Sequence, residues 1–224
     1  MLFSLIEPRS YEQILQRNYV IGRDFRVAFG DSNIAKCLLV APHGGGIEPG
    51  TSEIMRALAE LGGWAWYEFA GYLRHGNKEA LHILSTEFNE PTLLDLLRQA
   101  GLVVTLHGAS EAGKPLVFVG GRFKFGRQVV IGAINGSKEG HGIVAIDATE
   151  DAATEQISGW QESNITNRGR RREGIQMEFS REARNLLFPP NASREARGRR
   201  SARLRPLARS INRALRQLLS GRGE

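Results

Sequence analysis

Residues 37–61 read CLLVAPHGGGIEPGTSEIMRALAEL, and this stretch predicts the fold class. The nearly continuous apolar run of residues 37–41 is typical of a buried parallel strand. Residues 52–61 have the hydrophobic spacing of a helix, and Thr51 or Ser52 is a suitable N-cap for it. A strand that leads directly into a helix indicates an α/β protein, in which helices cover a largely parallel sheet.

The same alternation of strand and helix continues along the chain. A second helix is expected over residues 91–100, with Asn89 as its N-cap and Gly101 as its stop. Short apolar runs predict further strands at residues 64–69, 81–84, 102–106, 116–119, 129–134, 143–146 and 175–179. We therefore predict a mixed, largely parallel central sheet with helices on both faces, in one domain that comprises residues 1–190.

The composition excludes several classes of protein. A chain of 224 residues that is 41% hydrophobic and 24% charged can form one globular core, which excludes collagen, coiled coils and wholesale disorder. Cys37 is the only cysteine, so no disulfide can form within the chain, and its apolar neighbours indicate a small core residue. Runs of about 18 apolar residues do not occur, so no membrane span is expected. The N-terminus lacks the features of a secretory signal, so we expect a cytoplasmic location at synthesis.

The positive charge of the chain is concentrated at its C-terminal end. The net charge is +6, but residues 191–224 hold ten Arg and two acidic residues, which leaves the preceding 190 residues slightly negative. Pro189 and Pro190 mark the boundary of this Arg-rich segment. Its apolar residues recur at helical spacing, at Leu204, Leu207, Ile211, Leu215 and Leu218. This amphipathic helix either docks on its own domain with a solvated basic face, or contacts nucleic acid, a membrane surface or an acidic partner.

Polar side chains lie at the ends of three predicted strands. His43 and Glu48 follow the first strand across a glycine-rich loop, His107 follows the 102–106 strand, and Glu178 lies in the last strand. Ligands of open α/β sheets bind beyond the carboxyl ends of the strands. Two histidines, a carboxylate ligand and a further glutamate are the groups that a hydrolytic zinc site requires. The alternative is that both histidines are hydrogen-bonded strand ends with no metal.

With these residues in view, the sequence resembles the zinc-dependent poly-γ-glutamate hydrolases of bacteriophage and prophage origin. The resemblance rests on five blocks, APHGGGIEPGTSEI (41–54), LHILSTEFNEP (81–91), VVTLHG (103–108), FVGG (118–121) and NRGRRREGIQMEFSREAR (167–184). It implies a fold of the carboxypeptidase/phosphorylase-like type. It also implies that His43, Glu48 and His107 are the zinc ligands and that Glu178 is the catalytic glutamate.

The substrate is predicted from charge and from the resemblance. Arg168, Arg172 and Gln176 are the expected substrate contacts, the two arginines because guanidinium groups recognise carboxylates. The predicted activity is zinc-dependent hydrolysis of γ-glutamyl amide bonds, in poly-γ-glutamate, by a monomer. If the protein is phage-encoded, we expect its release on lysis. Two alternatives stay open. One is a peptidase or amidase of peptidoglycan stem peptides, and the other is a non-enzymatic nucleic-acid-binding protein that uses the basic C-terminal helix.

Overall fold

A computed structural model describes residues 7–110, 112–188, 193, 196–197 and 202–220. These residues contain one seven-stranded sheet. Its strands are β1 (Phe25–Gly30), β2 (Cys37–Gly45), β3 (Ala65–Gly71), β4 (Leu102–Gly108), β5 (Leu116–Gly120), β6 (Val144–Asp147) and β7 (Ile175–Phe179). The helices are α1 (Tyr11–Gln16), α2 (Thr51–Gly62), α3 (Asn77–Leu81), α4 (Pro91–Gln99), α5 (Lys124–Asn135), α6 (Arg181–Leu187) and α7 (Leu204–Ser220).

The strand order explains how distant parts of the chain meet. The order across the sheet is β1-β3-β2-β4-β7-β5-β6. The four central strands β3, β2, β4 and β7 are parallel, and β5 pairs with β6 in parallel as well. Only the β1–β3 and β5–β7 pairs are antiparallel among the described strands. The predicted mixed, largely parallel sheet is confirmed.

Both faces of the sheet are covered, because consecutive strand residues point to opposite sides. On β2, Cys37 and Leu39 face a core formed with α2, α5, α6 and α7. Leu38 and Val40 face the other core, formed with α1, α3 and α4. All four side chains are fully buried. A strand that is buried on both faces needs a continuous apolar run, which is what the sequence of β2 provides.

Several predicted elements differ from the observed ones. Residues 129–134, predicted as a strand, lie within helix α5, and residues 81–84 form no strand. Strand β1 was not predicted. Short apolar runs do not distinguish a strand from one side of a buried helix, and this ambiguity accounts for the error at 129–134. The helix caps also differ, since Gly50 rather than Thr51 or Ser52 precedes α2, and Glu90 rather than Asn89 caps α4.

The C-terminal helix α7 packs on its own domain, against α2 and α5. The five apolar residues that predicted its buried stripe, Leu204, Leu207, Ile211, Leu215 and Leu218, are each at most 4% exposed. The polar side chain of Asn212 is also buried there and accepts a hydrogen bond from the indole N–H of Trp64. The predicted domain boundary at Pro189 and Pro190 lies outside the described residues. Within the described part of the chain, no helix is long and apolar enough to cross a membrane.

Candidate metal centre

The cluster of candidate ligands forms where β2 and β4 end side by side. His43 lies near the end of β2, and the backbone N–H of Glu48 donates to the His43 carbonyl at 2.9 Å, which folds the loop back on the strand. Gly45 in this loop has φ +66°, and a side chain there would strike the backbone of Gly71. Glycine is therefore required at this turn. The loop brings the Glu48 carboxylate beside the imidazole of His43.

Three ligand groups, namely two imidazoles and one carboxylate, converge in this cluster. His43 Nδ1 lies 3.1 Å from His107 Nδ1 and 3.2 Å from Glu48 Oε1. His107 Nδ1 lies 3.8 Å from Glu48 Oε2. Ligand atoms around a tetrahedral zinc ion lie about 3.3–3.5 Å apart, given bonds of about 2.0–2.2 Å. The spacing and the chemistry of the three groups therefore fit a zinc ion.

Other contacts orient these ligands. His43 Nε2 lies 2.8 Å from the Ile83 carbonyl, and a donated bond there leaves Nδ1 as the acceptor that faces the cluster. His107 Nε2 lies 3.4 Å from Ser85 Oγ. The N–H of Gly108 donates to Glu48 Oε2 at 2.8 Å. Each group thus has a protein partner that holds it in place.

A third histidine, His82, lies on the other side of Glu48. Its Nε2 is 3.7 Å from Glu48 Oε1, its Nδ1 is 3.0 Å from Glu7 Oε2, and its ring stacks on that of His43. His43, Glu48 and His82 also have ligand atoms within 4.8 Å of one another. His82 is therefore an alternative third ligand or, through Glu7 and Glu48, a group that orients the carboxylate. From the sequence, His82 inside the apolar run of residues 81–84 is interpreted as a core histidine or as one that orients a ligand.

Burial sets the protonation of the cluster. It lowers the pKa of His43, and it lowers the pKa of His107 to about 3, so both rings are neutral near pH 7. Burial alone would raise the pKa of Glu48, but His43 and His82 outweigh it and hold this pKa well below its ordinary value. Neutral imidazole and ionised carboxylate are the forms that bind a metal. The protein therefore presents the three groups in the ligand state.

Glu178 completes the cluster from the next strand. It pairs with His107 in the β4–β7 register, and its side chain is buried. Burial, followed by the charge of Glu48, raises the pKa of Glu178 well above its ordinary value, while Arg184 and Lys78 oppose this shift. A carboxyl group with a raised pKa can both accept and donate a proton near neutral pH.

The amide of Gln176 holds Glu178 in place. Gln176 Nε2 donates to Glu178 Oε1 at 3.1 Å and to the Ile157 carbonyl at 2.9 Å. Its Oε1 accepts from Asn164 Nδ2 at 3.1 Å. Both N–H groups of the amide are thus engaged by protein atoms, and the side chain is 3% exposed. The sequence predicted a substrate contact here, whereas the observed partners are within the protein.

The predicted arginine contacts, Arg168 and Arg172, lie on the segment that precedes β7. The backbone N–H of Arg170 donates to the Ala100 carbonyl, which places the backbone of Arg170 beside the amino end of β4. Arg168 Nη1 donates to the Phe88 carbonyl at 3.2 Å, and Arg172 is exposed. The four predicted metal and catalytic residues lie together, and Arg168 bonds Phe88, whose ring centroid lies 6.3 Å from that of His43. A role of Arg168 and Arg172 in substrate binding stays a prediction.

The family was identified by comparison with known proteins. The profile of the family described as poly-gamma-glutamate hydrolase matches residues 9–209. The chain belongs to this family. The matched range includes the three candidate ligands, His82 and Glu178, and it extends past residue 190 into helix α7. It does not include Glu7, the partner of His82.

Two relatives come from Bacillus subtilis strain 168. The SPbeta prophage-derived UPF0714 protein YoqZ is 32% identical over 84% of this chain, and the UPF0714 protein YmaC is 32% identical over 74%. The chain spans 66%, just under two thirds, of the length of each of these relatives.

Two solved structures are similar over nearly their whole length. A bacteriophage poly-gamma-glutamate hydrolase has a TM-score of 0.84 at 28% identity, over 95% of this chain and 98% of that chain. Zinc-free, apo YndL has a TM-score of 0.81 at 28% identity, over 94% of this chain and 98% of that chain. These matches confirm the predicted fold class.

Proposed function

We propose that the chain is a zinc-dependent hydrolase that cleaves γ-glutamyl amide bonds in an acidic polymer of the poly-γ-glutamate type. The observation that carries this proposal is the convergence of His43 Nδ1, His107 Nδ1 and the Glu48 carboxylate within 3.1–3.8 Å of one another, beside Glu178. Membership of the poly-gamma-glutamate hydrolase family supports the bond type. The similar structure of YndL is described as an apo, zinc-free form, and this supports zinc as the metal.

His43, Glu48 and His107 would hold the metal. Three protein ligands leave the fourth position of a tetrahedron open, which distinguishes a catalytic zinc site from a structural one. When bound, zinc supplies a Lewis acid that polarises the scissile carbonyl and acidifies a water molecule. The partners of the three ligands, namely Ile83, Ser85 and Gly108, keep their ligand atoms directed at the same point.

Glu178 acts as the general base and then as the general acid. Its carboxylate takes the proton of the attacking water and delivers it to the nitrogen of the leaving amine. The raised pKa of Glu178 favours this return of the proton, and the bond from Gln176 fixes the carboxylate relative to the ligands. Lys78 and Arg184 place positive charge near the same carboxylate, so its anionic form remains accessible.

The first experiment measures metal content and activity together. Elemental analysis of the purified protein should find about one zinc per chain, and His43→Ala and His107→Ala should both lose it. His141→Asn is the matched control, because this histidine precedes β6 at the edge of the sheet, away from the ends of β2 and β4 that carry the ligands. If His107→Ala retains zinc and His82→Ala loses it, the third zinc ligand is His82 rather than His107.

Glu178→Gln tests the mechanism separately. This variant should keep its zinc but lose hydrolysis of poly-γ-glutamate, measured as the decrease in polymer size by gel filtration. Peptidoglycan stem peptides, the alternative substrate, are assayed in parallel and should stay intact. The proposal is wrong if refolded, zinc-treated wild-type protein binds no metal, or if Glu178→Gln retains full activity.

A further inference from the structure

A basic groove lies directly beside the metal centre. It has a volume of about 790 Å³ and includes Glu48 in its wall. Sites for small ligands measure about 300–1,000 Å³, so this groove has room for more than one glutamyl unit. Its walls come from segments that follow β2, β3, β4 and β7, where ligands of α/β sheets bind.

The lining of the groove is strongly cationic. Arg74 and Lys78 lie on one side and Arg181 on the other, and all three side chains are exposed. Among the described residues, neither Arg74 nor Lys78 forms an ion pair, and Glu48 is the one carboxylate of the lining. This charge is unexpected from the sequence, because residues 1–190 carry a slight net negative charge.

The strand order places these cations on both sides of the metal centre. Arg74 and Lys78 follow β3, and Arg181 begins α6 immediately after β7. In the sheet, β3 and β7 flank the central pair β2 and β4, whose ends carry His43 and His107. A chain that lies in the groove would therefore meet positive charge before and after the ligand cluster.

Another arginine of the groove has a structural role and is kept apart from the proposal. Arg184 donates to the carbonyls of Pro49, Ala109 and Phe179 at 2.7–3.2 Å. It therefore ties together three segments that form the wall. Its substitution would change the shape of the groove as well as its charge.

We propose that Arg74, Lys78 and Arg181 select the substrate by pairing with the free carboxylates of the units that flank the scissile bond. This inference rests on the proposed function and adds to it the residues that distinguish an acidic polymer from a neutral amide. A γ-glutamyl chain carries one free carboxylate on each unit, and guanidinium and ammonium groups pair with carboxylates through charge-assisted hydrogen bonds.

The test measures binding in protein that does not turn over. Full-length, zinc-loaded Glu178→Gln protein is titrated calorimetrically with a γ-linked glutamate oligomer. Adding Arg74→Gln, Lys78→Gln and Arg181→Gln together should weaken binding by about 3- to 125-fold, since an exposed ion pair contributes about 1.4- to 5-fold each. The same three substitutions should also reduce the dependence of binding on salt.

The matched control removes the same charge elsewhere. Arg205→Gln, Arg209→Gln and Arg213→Gln on the exposed face of α7 should leave the affinity within about twofold. Thermal unfolding of both triple variants checks that they are folded. A second probe is a γ-linked glutamate oligomer whose carboxylates are converted to amides. It should bind weakly to protein with the unaltered groove, with an affinity similar to that of the acidic oligomer for the groove variant.

Three outcomes would overturn the proposal. They are unchanged affinity in the groove variant, an equal loss in the α7 variant, and equally tight binding of single-stranded DNA to the groove. Failure of the proposed function is recognised separately, because it appears as absent hydrolysis in wild-type protein whatever the binding result. Hydrolysis with unchanged affinity of the groove variant would overturn this inference alone.

Discussion

Replacing Asn212 with alanine should lower the free energy of unfolding by about 2–3 kcal/mol. Asn212 lies on α7, is 1% exposed, and joins this helix to the rest of the domain. Its Oδ1 accepts from Trp64 Nε1 at 2.6 Å, and its Nδ2 donates to the Leu58 carbonyl at 3.1 Å. Alanine would remove both bonds and leave the buried indole N–H of Trp64 without this acceptor.

The magnitude follows from these two bonds. Each buried hydrogen bond contributes about 0.5–1.5 kcal/mol, and a buried donor left unpaired costs about 1–3 kcal/mol. For a domain of this size, a loss of about 2–3 kcal/mol corresponds to a decrease in Tm of about 4–12 °C. Urea unfolding measures the free energy, and its m-value should stay unchanged, since the surface exposed on unfolding is the same.

Arg213→Ala provides the control on the adjacent residue. Arg213 is exposed, and its substitution should change the free energy of unfolding by less than about 0.5 kcal/mol. If Asn212→Ala also has an effect below about 0.5 kcal/mol, the helix does not dock as described. That result would revive the interpretation in which α7 is a separate nucleic-acid-binding element.

Three further predictions concern buried groups. Burial lowers the pKa of His141 in the folded protein, so this imidazole is protonated more readily in the unfolded chain. The free energy of unfolding therefore falls as the pH decreases below about 6.5. His141→Asn, which can still accept the bond from the Ile143 N–H, should reduce this fall when chelated protein is unfolded in urea at pH 7.5 and 5.5; an identical fall in both proteins would contradict it. Gln176→Met should lower kcat about 10- to 100-fold with little change in KM, because Glu178 loses the donor that positions it; unchanged kcat would refute that role. Burial raises the pKa of Cys37 to about 12, so a thiol reagent should modify it at pH 8 only after denaturation, and rapid labelling of native protein would disagree.

Local sequence was sufficient for the central elements of the fold. The apolar run of β2 and the helical spacing of α2 predicted both elements to within a few residues. Each pattern shows which residues of a single segment are buried, and this does not depend on which other segments bury them. The same rule failed at residues 129–134, where the apolar run belongs to helix α5. Strand β1 was missed, and it forms by pairing with β3, which lies some 40 residues further along the chain.

The candidate ligands could be selected from sequence because each follows an apolar strand. His43, Glu48 and His107 lie at or beyond strand ends, and the glycine loop permits the return of Glu48. Their convergence depends on β2 and β4 being neighbours, which sequence pattern alone does not state. The resemblance to a known family provided that step, and the structure brings the three groups together.

The sequence by itself determined the α/β class, the amphipathic character of the C-terminal helix and the identity of the groups able to bind a metal. Tertiary structure decided which partners those groups have. Gln176 is engaged with Glu178, His82 lies against Glu48, and the cations of the groove come from segments after β3 and β7. Hydrophobic periodicity reports which face of a segment is buried, whereas hydrogen bonds and charge pairs between distant segments depend on strand order.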